Sequence, residues 1–310
     1  MGESRTLLLV GAGGFVGSHL AAAAAADPGF DLVAAGRRPT AAGTLACDLL
    51  DPASITACLE TAAPDLVVNA AGAASVGRSW ERPGETFAAN ATGVLNLLEA
   101  VATQAPSAHV LCLSSADVYG ARASAELPLG EGLQPRPITP YGAAKAAMEE
   151  ICQVSRGRGL RIAVARIFNL IGPGQSAGFA VPGFARRIAA AERGREEAVE
   201  LALGNPGAVR DFVDVREGAE ALLELSRRGS EGTFNLCSGR GTTIAELVAE
   251  LARQTGVEVR VREDPALSRP ADPPALVGDP GRLRAETGFV ASVPLSASLG
   301  DLLGEWRGRR

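Results

Sequence analysis

Lysine is almost missing from this 310-residue chain: of its 30 basic residues, Lys145 alone is lysine and the rest are arginine. A basic run longer than an Arg-Arg pair or the terminal Arg-Gly-Arg-Arg is missing too, and the formal net charge is −5. Without a phosphate-tracking surface, nucleic acid is excluded as a partner. The five cysteines (Cys47, Cys58, Cys112, Cys152, Cys237) are odd in number and show no CxxC spacing. That argues against a disulfide framework and a metal site, and for buried free thiols in a reducing compartment, hence the cytoplasm. Long apolar runs are absent as well. The N-terminal MGESRTLLLVGAGG has an apolar run of only about five residues before glycines interrupt it, too short for a signal segment or a membrane span. It reads as a first β-strand, which leaves little free arm for the lipid that the opening Met-Gly formally invites.

What is present is ordinary globular composition, 46% hydrophobic and 21% charged, at a length that suits one or two domains. Short apolar runs (TLLLVGA, FDLVAAG, PDLVVNAAG, HVLCLSS, LRIAVARIF) alternate with helix-like stretches (SHLAAAAAA, ETFAANATGVLNLLEAVATQ, YGAAKAAMEEICQVSRGR). Repeated βα units predict an α/β protein of Rossmann type, a doubly wound parallel sheet with helices on both faces. After about residue 168 Gly/Pro-rich loops break the pattern, which returns briefly in RDFVDVREGAEALLELSRR and TFNLCSG. Residues 1–168 and 209–237 are therefore expected to form the dinucleotide-binding domain, and 169–208 with 238–310 a smaller substrate lobe.

Gly11, Gly14 and Gly17 directly follow the first strand and open the first helix, with Phe15 and Val16 between the last two. Glycines there permit a tight turn and bring backbone close to a pyrophosphate at the helix N-terminus. The second strand ends Ala35-Gly36-Arg37-Arg38 rather than in the carboxylate usual for NAD. Two guanidiniums suit a 2′-phosphate, so NADP(H) is preferred and NAD(H) remains open. Asp48 and Leu49 are placed to meet the adenine, and Ala70, Ala71 and Gly72 end a strand where small residues let the cofactor lie close.

Tyr141 and the single Lys145 are four apart, on one helix face. Ser115 falls near the C-terminal end of a strand, where ligands of such sheets bind. A phenol with an ordinary pKa near 10 trades protons more easily beside an ammonium, while a serine hydroxyl can hold a substrate oxygen. Lysine suits the place better than arginine because its ammonium is compact, with three rotatable donors. The two histidines, His19 and His109, lie away from these groups and read as structural.

Together the glycine loop, Asn69-Ala70-Ala71-Gly72, SSADVYG and Pro140-Tyr141-Gly142-Ala143-Ala144-Lys145 resemble the extended short-chain dehydrogenase/reductase family acting on nucleotide sugars, from about residue 6 to residue 290. Gly172-Pro173-Gly174-Gln175-Ser176, Arg210-Asp211-Phe212-Val213-Asp214-Val215 and Arg269-Pro270 most resemble its GDP-4-dehydro-6-deoxymannose reductases. The resemblance implies catalytic Ser115, Tyr141 and Lys145, with the last two also on the cofactor. It further implies substrate contacts from Ser115, Asp117, Asn169, Arg210 and Arg269, the two arginines on the diphosphate, and a homodimer. Val10 departs from the threonine usual before the first glycine, and the Cys and His groups of related 3,5-epimerase/reductases have no counterparts. The expected reaction is NADPH reduction of the C4 ketone of a nucleotide-linked 4-keto-6-deoxyhexose. The alternatives are a nucleotide-sugar 4-epimerase, a 4,6-dehydratase, against which Ala116 and the short Asp117 speak, and a non-catalytic NADP-sensing module.

Overall fold

The computed structural model describes residues 4–39, 43–267 and 271–309. The chain runs through β1 (Arg5–Val10), α1 (Phe15–Ala25), β2 (Phe30–Gly36), β3 (Leu45–Ala46), α2 (Pro52–Ala62), β4 (Leu66–Asn69), α3 (Val76–Glu81), α4 (Pro83–Phe87), α5 (Gly93–Gln104), β5 (His109–Ser115), α6 (Pro140–Gly157) and β6 (Arg161–Ile167). It continues through β7 (Asn169–Ile171), α7 (Ala180–Gly194), β8 (Ala198–Leu203), β9 (Val209–Asp214), α8 (Val215–Arg228), β10 (Gly232–Leu236), β11 (Gly241–Thr243), α9 (Ile244–Arg253), β12 (Glu258–Glu263), β13 (Ala275–Leu276), α10 (Gly281–Thr287) and α11 (Leu295–Gly308).

Seven strands form one parallel sheet in the order β10-β6-β5-β4-β1-β2-β3. Their side chains divide by the strand period of two. Leu7 and Leu9 of β1 join Leu20 of α1, Leu222 of α8 and Leu283 of α10 on one face. Leu8 and Val10 join Ile55 of α2, Leu97 of α5 and Met148 of α6 on the other. Burial on both sides explains why β4 and β5 read as continuous apolar runs. After β1 the chain builds outward to β2 and β3, then returns to β4 on β1's other side. The strand order thus reverses between β1 and β4, and a crevice opens at their C-terminal ends.

The segment 209–237 divides. Its strand β9 lies in a small four-stranded sheet with β7, β11 and β13, whereas α8 and β10 join the central layer. β8 and β12 pair separately, and α7, α9 and α11 cover the small sheets through Ile188, Leu201, Leu247 and Leu302. The helix expected across residues 85–104 is interrupted by a π-helical turn at Ala88–Thr92. The Asn90 amide inside that turn donates to the carbonyls of Thr86 at 3.1 Å and Ala73 at 3.0 Å, so the extra residue ties the helix to the end of β4's loop. All five cysteines are buried and free.

Candidate active site

The turn from β1 into α1 leaves no room for side chains. Gly11 has φ +90°, and a Cβ on it would lie 2.6 Å from the backbone nitrogen of Ala71. A Cβ on Gly17 would lie 2.1 Å from the carbonyl oxygen of Gly11. Gly14 is the N-cap of α1 and offers no capping side chain, and no acidic residue occupies the helix's first turn. The positive end of α1 therefore faces the crevice uncompensated, in a cradle that a methyl group would fill. These are the features a dinucleotide pyrophosphate needs. Phe15 and Val16 begin the helix half-buried, Phe15 edge-on to His19, whose Nε2 meets the carbonyl of Pro173 at 2.9 Å. Ala70 and Ala71 lie beside Gly11 at the end of β4.

Arg37 and Arg38 follow β2 at the far side of the crevice, and both are exposed. Beyond β3, the Asp48 carboxylate accepts the backbone N–H of Leu50 at 3.0 Å. Leu49 is buried, its carbonyl fixed by the Asn96 amide at 2.9 Å.

On the other side of the switch point, Thr139 caps α6 by accepting the N–H of Gly142 at 2.9 Å, and Pro140 takes the first helical position. That cap fixes Tyr141 in the first turn and Lys145 one turn on. Both side chains are buried, as is Ser115 at the last position of β5. Tyr141 neighbours Ser115, and the Ser115 hydroxyl donates to Asp117 Oδ2 at 2.9 Å. Lys145 Nζ donates to the carbonyl of Leu113 at 2.8 Å and stands 5.9 Å from the centre of the Tyr141 ring.

Burial dominates the electrostatics. It pushes the Tyr141 phenol above its ordinary range, the nearby Asp117 carboxylate pushes the same way, and the Ser115 hydroxyl opposes both. Burial also draws Lys145 down to about 8, with Cys112, Cys152 and the Glu149 carboxylate opposing it. The sequence alone leads one to expect a phenol lowered by its lysine. Among the protein's own groups burial and the Asp117 carboxylate dominate, so the phenol is held protonated.

Ser115, Asp117, Asn169 and Arg210 all line one cavity of about 150 Å³ beneath the small sheet. Asn169 donates to the carbonyl of Asp211 at 3.0 Å. Arg210 is largely buried and ion-paired at 2.5 Å with Asp272, which lines the same cavity. Arg269 lies outside the described residues. The apolar part of the wall includes Val76, Trp80 and Ile167.

Sequence reasoning misses two contributors. Asp272 is 62 residues from its partner. Asn90 is wholly buried, its Oδ1 has no hydrogen-bond partner, and that atom sits 2.4 Å from where a Cβ on Gly72 would be. The same position is 3.7 Å from Lys145 Nζ, so an unsatisfied acceptor adjoins the ammonium. An asparagine in the middle of a helix-like run was the available hint, since it belongs there only if its amide bonds locally. Among the described residues no cluster of metal-ligating side chains occurs, and no helix is long and apolar enough to cross a membrane.

A parallel sheet with its switch point at a glycine turn, facing a buried Ser, Tyr and Lys, defines an NAD(P)-dependent oxidoreductase of the extended short-chain dehydrogenase/reductase type. Residues 7–237 match the NAD dependent epimerase/dehydratase family, and the chain belongs to it. It is 37% identical to a GDP-6-deoxy-D-mannose reductase of Pseudomonas aeruginosa, over 99% of this chain and 98% of that protein. It is 30% identical to a GDP-6-deoxy-D-talose 4-dehydrogenase of Aggregatibacter actinomycetemcomitans, over 89% of each. Among solved structures it superposes on RMD from Pseudomonas aeruginosa complexed with NADPH with a TM-score of 0.88, at 35% identity over 99% of both chains. A UDP-glucose 4-epimerase from Thermus thermophilus complexed with NAD gives 0.86 at 28% identity, over 98% of this chain and 99% of that one.

Proposed function

We propose that this protein reduces the C4 ketone of a nucleotide-linked 4-keto-6-deoxyhexose, a reading supported by its similarity to a GDP-6-deoxy-D-mannose reductase. The observation that carries this reading is that Ser115 and Arg210 line one cavity while Tyr141 and Lys145 stand behind Ser115. When bound, the nicotinamide supplies a hydride to the carbonyl carbon. Ser115 donates to the ketone oxygen and holds it against the Tyr141 phenol. Tyr141, kept protonated by burial, gives its proton to the developing alkoxide, and the Lys145 ammonium stabilises the phenolate left behind. Arg210 pairs with the substrate diphosphate, helped by Arg269, and Asp117 and Asn169 contact the sugar.

The cofactor would be held at the C-terminal end of the central sheet by Gly11, Gly14, Phe15, Val16, Gly17, Asp48, Leu49, Ala70, Ala71, Gly72, Tyr141 and Lys145. Arg37 and Arg38 select NADPH, being exposed at the crevice edge with no carboxylate between them and a 2′-phosphate. Residues 169–208 and 238–310 form the substrate lobe, which contributes Asn169, Ala271, Asp272, Pro273 and Leu276 to the cavity wall. The protein works in the cytoplasm as a homodimer, its subunits meeting on a face where Phe87, Leu95 and Val154 of α4, α5 and α6 are exposed. The test is turnover of GDP-4-keto-6-deoxymannose with NADPH, beside the dTDP and UDP analogues. Absence of NADPH oxidation with all three, alongside interconversion of 4-epimers, would replace this reading by the epimerase.

A further inference from the structure

Two hydrogen bonds join consecutive residues of β5 to one face of α6: Lys145 Nζ donates to Leu113 O at 2.8 Å, and the Ser114 hydroxyl donates to Glu149 Oε1 at 2.6 Å, while Tyr141 on the same face neighbours Ser115, the next residue of β5. Tyr141, Lys145 and Glu149 recur every four residues, so they form one stripe along the helix. Glu149 is only 7% exposed and Arg166, beside Ser114 in register on β6, only 4%. Arg166 grips the carboxylate from Nε at 3.0 and 3.1 Å and from Nη2 at 2.7 Å. Its guanidinium also lies 4.8 Å from the centre of the buried Tyr119 ring and donates to the carbonyl of Glu131 at 3.3 Å.

A fully buried ion pair is a poor source of stability, because desolvating both charges costs about as much as their attraction returns. Its position gives it another use. Resting on the reductase reading above, we propose that Glu149, fixed by Arg166, is a positioning residue that keeps buried Lys145 an ammonium and pins the strand end that presents Ser115. Without a counter-charge, burial alone favours the neutral amine. A carboxylate free to move would pair with Lys145 directly and draw it off the Leu113 carbonyl. Arg166 prevents this by holding both carboxylate oxygens one helical turn away.

The other charged neighbours of Lys145 do not replace Glu149. Tyr141 and Cys152 share its helix, Cys112 faces it from β5, and Asp117 lies beyond Tyr141 at the end of β5. The π-turn offers only the amide of Asn90. Arg78 and Glu81 of α3, Arg82 and Glu85 of α4, Glu99 of α5 and Glu150 of α6 are exposed.

Because Lys145 is the sole lysine, protein grown on lysine labelled at Cε with carbon-13 shows one side-chain signal, whose shift reads the ammonium titration without any turnover. In the NADP⁺ complex, Glu149→Gln should move that midpoint down by about one pH unit, with the alkaline limb of ketone reduction following it. Glu149→Asp, which keeps a carboxylate, should restore most of the shift. If Glu149→Gln does not fold, Glu149→Gln/Arg166→Met, which removes the carboxylate together with its own counter-charge, should show a smaller fall in the same direction. An unchanged midpoint in either folded variant overturns the proposal. So does failure of both to fold, which assigns the pair to stability alone. A shifted midpoint in a protein that reduces no 4-ketone would keep the inference about Lys145 and sink the reductase reading.

Discussion

Lys145 Nζ and the Leu113 carbonyl, 2.8 Å apart, fix the chain's only ammonium against its own β5 strand. The relationship has a thermodynamic cost. Lys145 is drawn from an ordinary 10.5 to about 8 by burial. Between those values the unfolded chain binds more protons than the folded one, so Lys145's contribution to stability rises with pH across that window. Below about pH 8 its burial costs up to about 3 kcal/mol. Lys145→Met should therefore be more stable than the parent at pH 7, with the gain closing toward pH 10.5. Urea unfolding of both proteins at the two pH values measures it, and an equal gain at both would contradict the burial argument.

Replacing the same residue by arginine keeps the charge and lengthens the side chain. A planar fork cannot reach the Leu113 carbonyl and stay under the Tyr141 ring. Folding should survive, while single-turnover ketone reduction falls by about 10²-fold, comparable to Tyr141→Phe. Near-normal turnover with an unchanged pH profile would mean that charge alone suffices.

Arg37 and Arg38 are exposed at the end of β2. The double substitution to alanine should weaken NADPH by at least about tenfold and leave NADH nearly unaffected, since one charge-assisted phosphate contact is worth about 1.5–3 kcal/mol. Fluorescence titration of both cofactors decides it.

Arg210 and Asp272 are ion-paired in the wall of the cavity. Arg210→Ala should raise KM for the nucleotide sugar by about 10- to 100-fold and leave the NADPH Kd alone. Asp272→Asn should lower KM, because the substrate diphosphate no longer competes with a carboxylate for the guanidinium. Loss of NADPH binding in Arg210→Ala would place the arginine on the cofactor instead.

Gly17→Ala sets a methyl group 2.1 Å from the Gly11 carbonyl, so the turn must open. A stability loss of about 1–3 kcal/mol and loss of cofactor binding are expected. Gly84→Ala, where nothing lies within 4 Å, serves as the control and should change neither.

The parts of this architecture that are legible in sequence are those that repeat locally. β1, β2, β4, β5 and β6 announce themselves as apolar runs because the sheet is covered on both faces, and Gly11, Gly14, Gly17, Tyr141 and Lys145 carry fixed spacings. Contacts that depend on distant partners are silent. Nothing near Arg210 points to Asp272, nothing in α6 points to Arg166, and the π-turn at Asn90 needs the Ala73 carbonyl from another loop. β9 reads as a strand yet belongs to the small sheet, because an apolar run does not state which neighbour it will pair with.

The central sheet is also completed late. β6 is buried along most of its length and bonds to β5 on one side, but its other neighbour, β10, emerges only after β7, α7, β8, β9 and α8 have been made. A nascent chain released from the ribosome before residue 232 would carry β6 as an open apolar edge, a template for pairing with another chain. The last-made strand of the sheet therefore acts as a seal: synthesis must run through more than two-thirds of the message before the cofactor layer can close, and chaperone demand should peak in that interval.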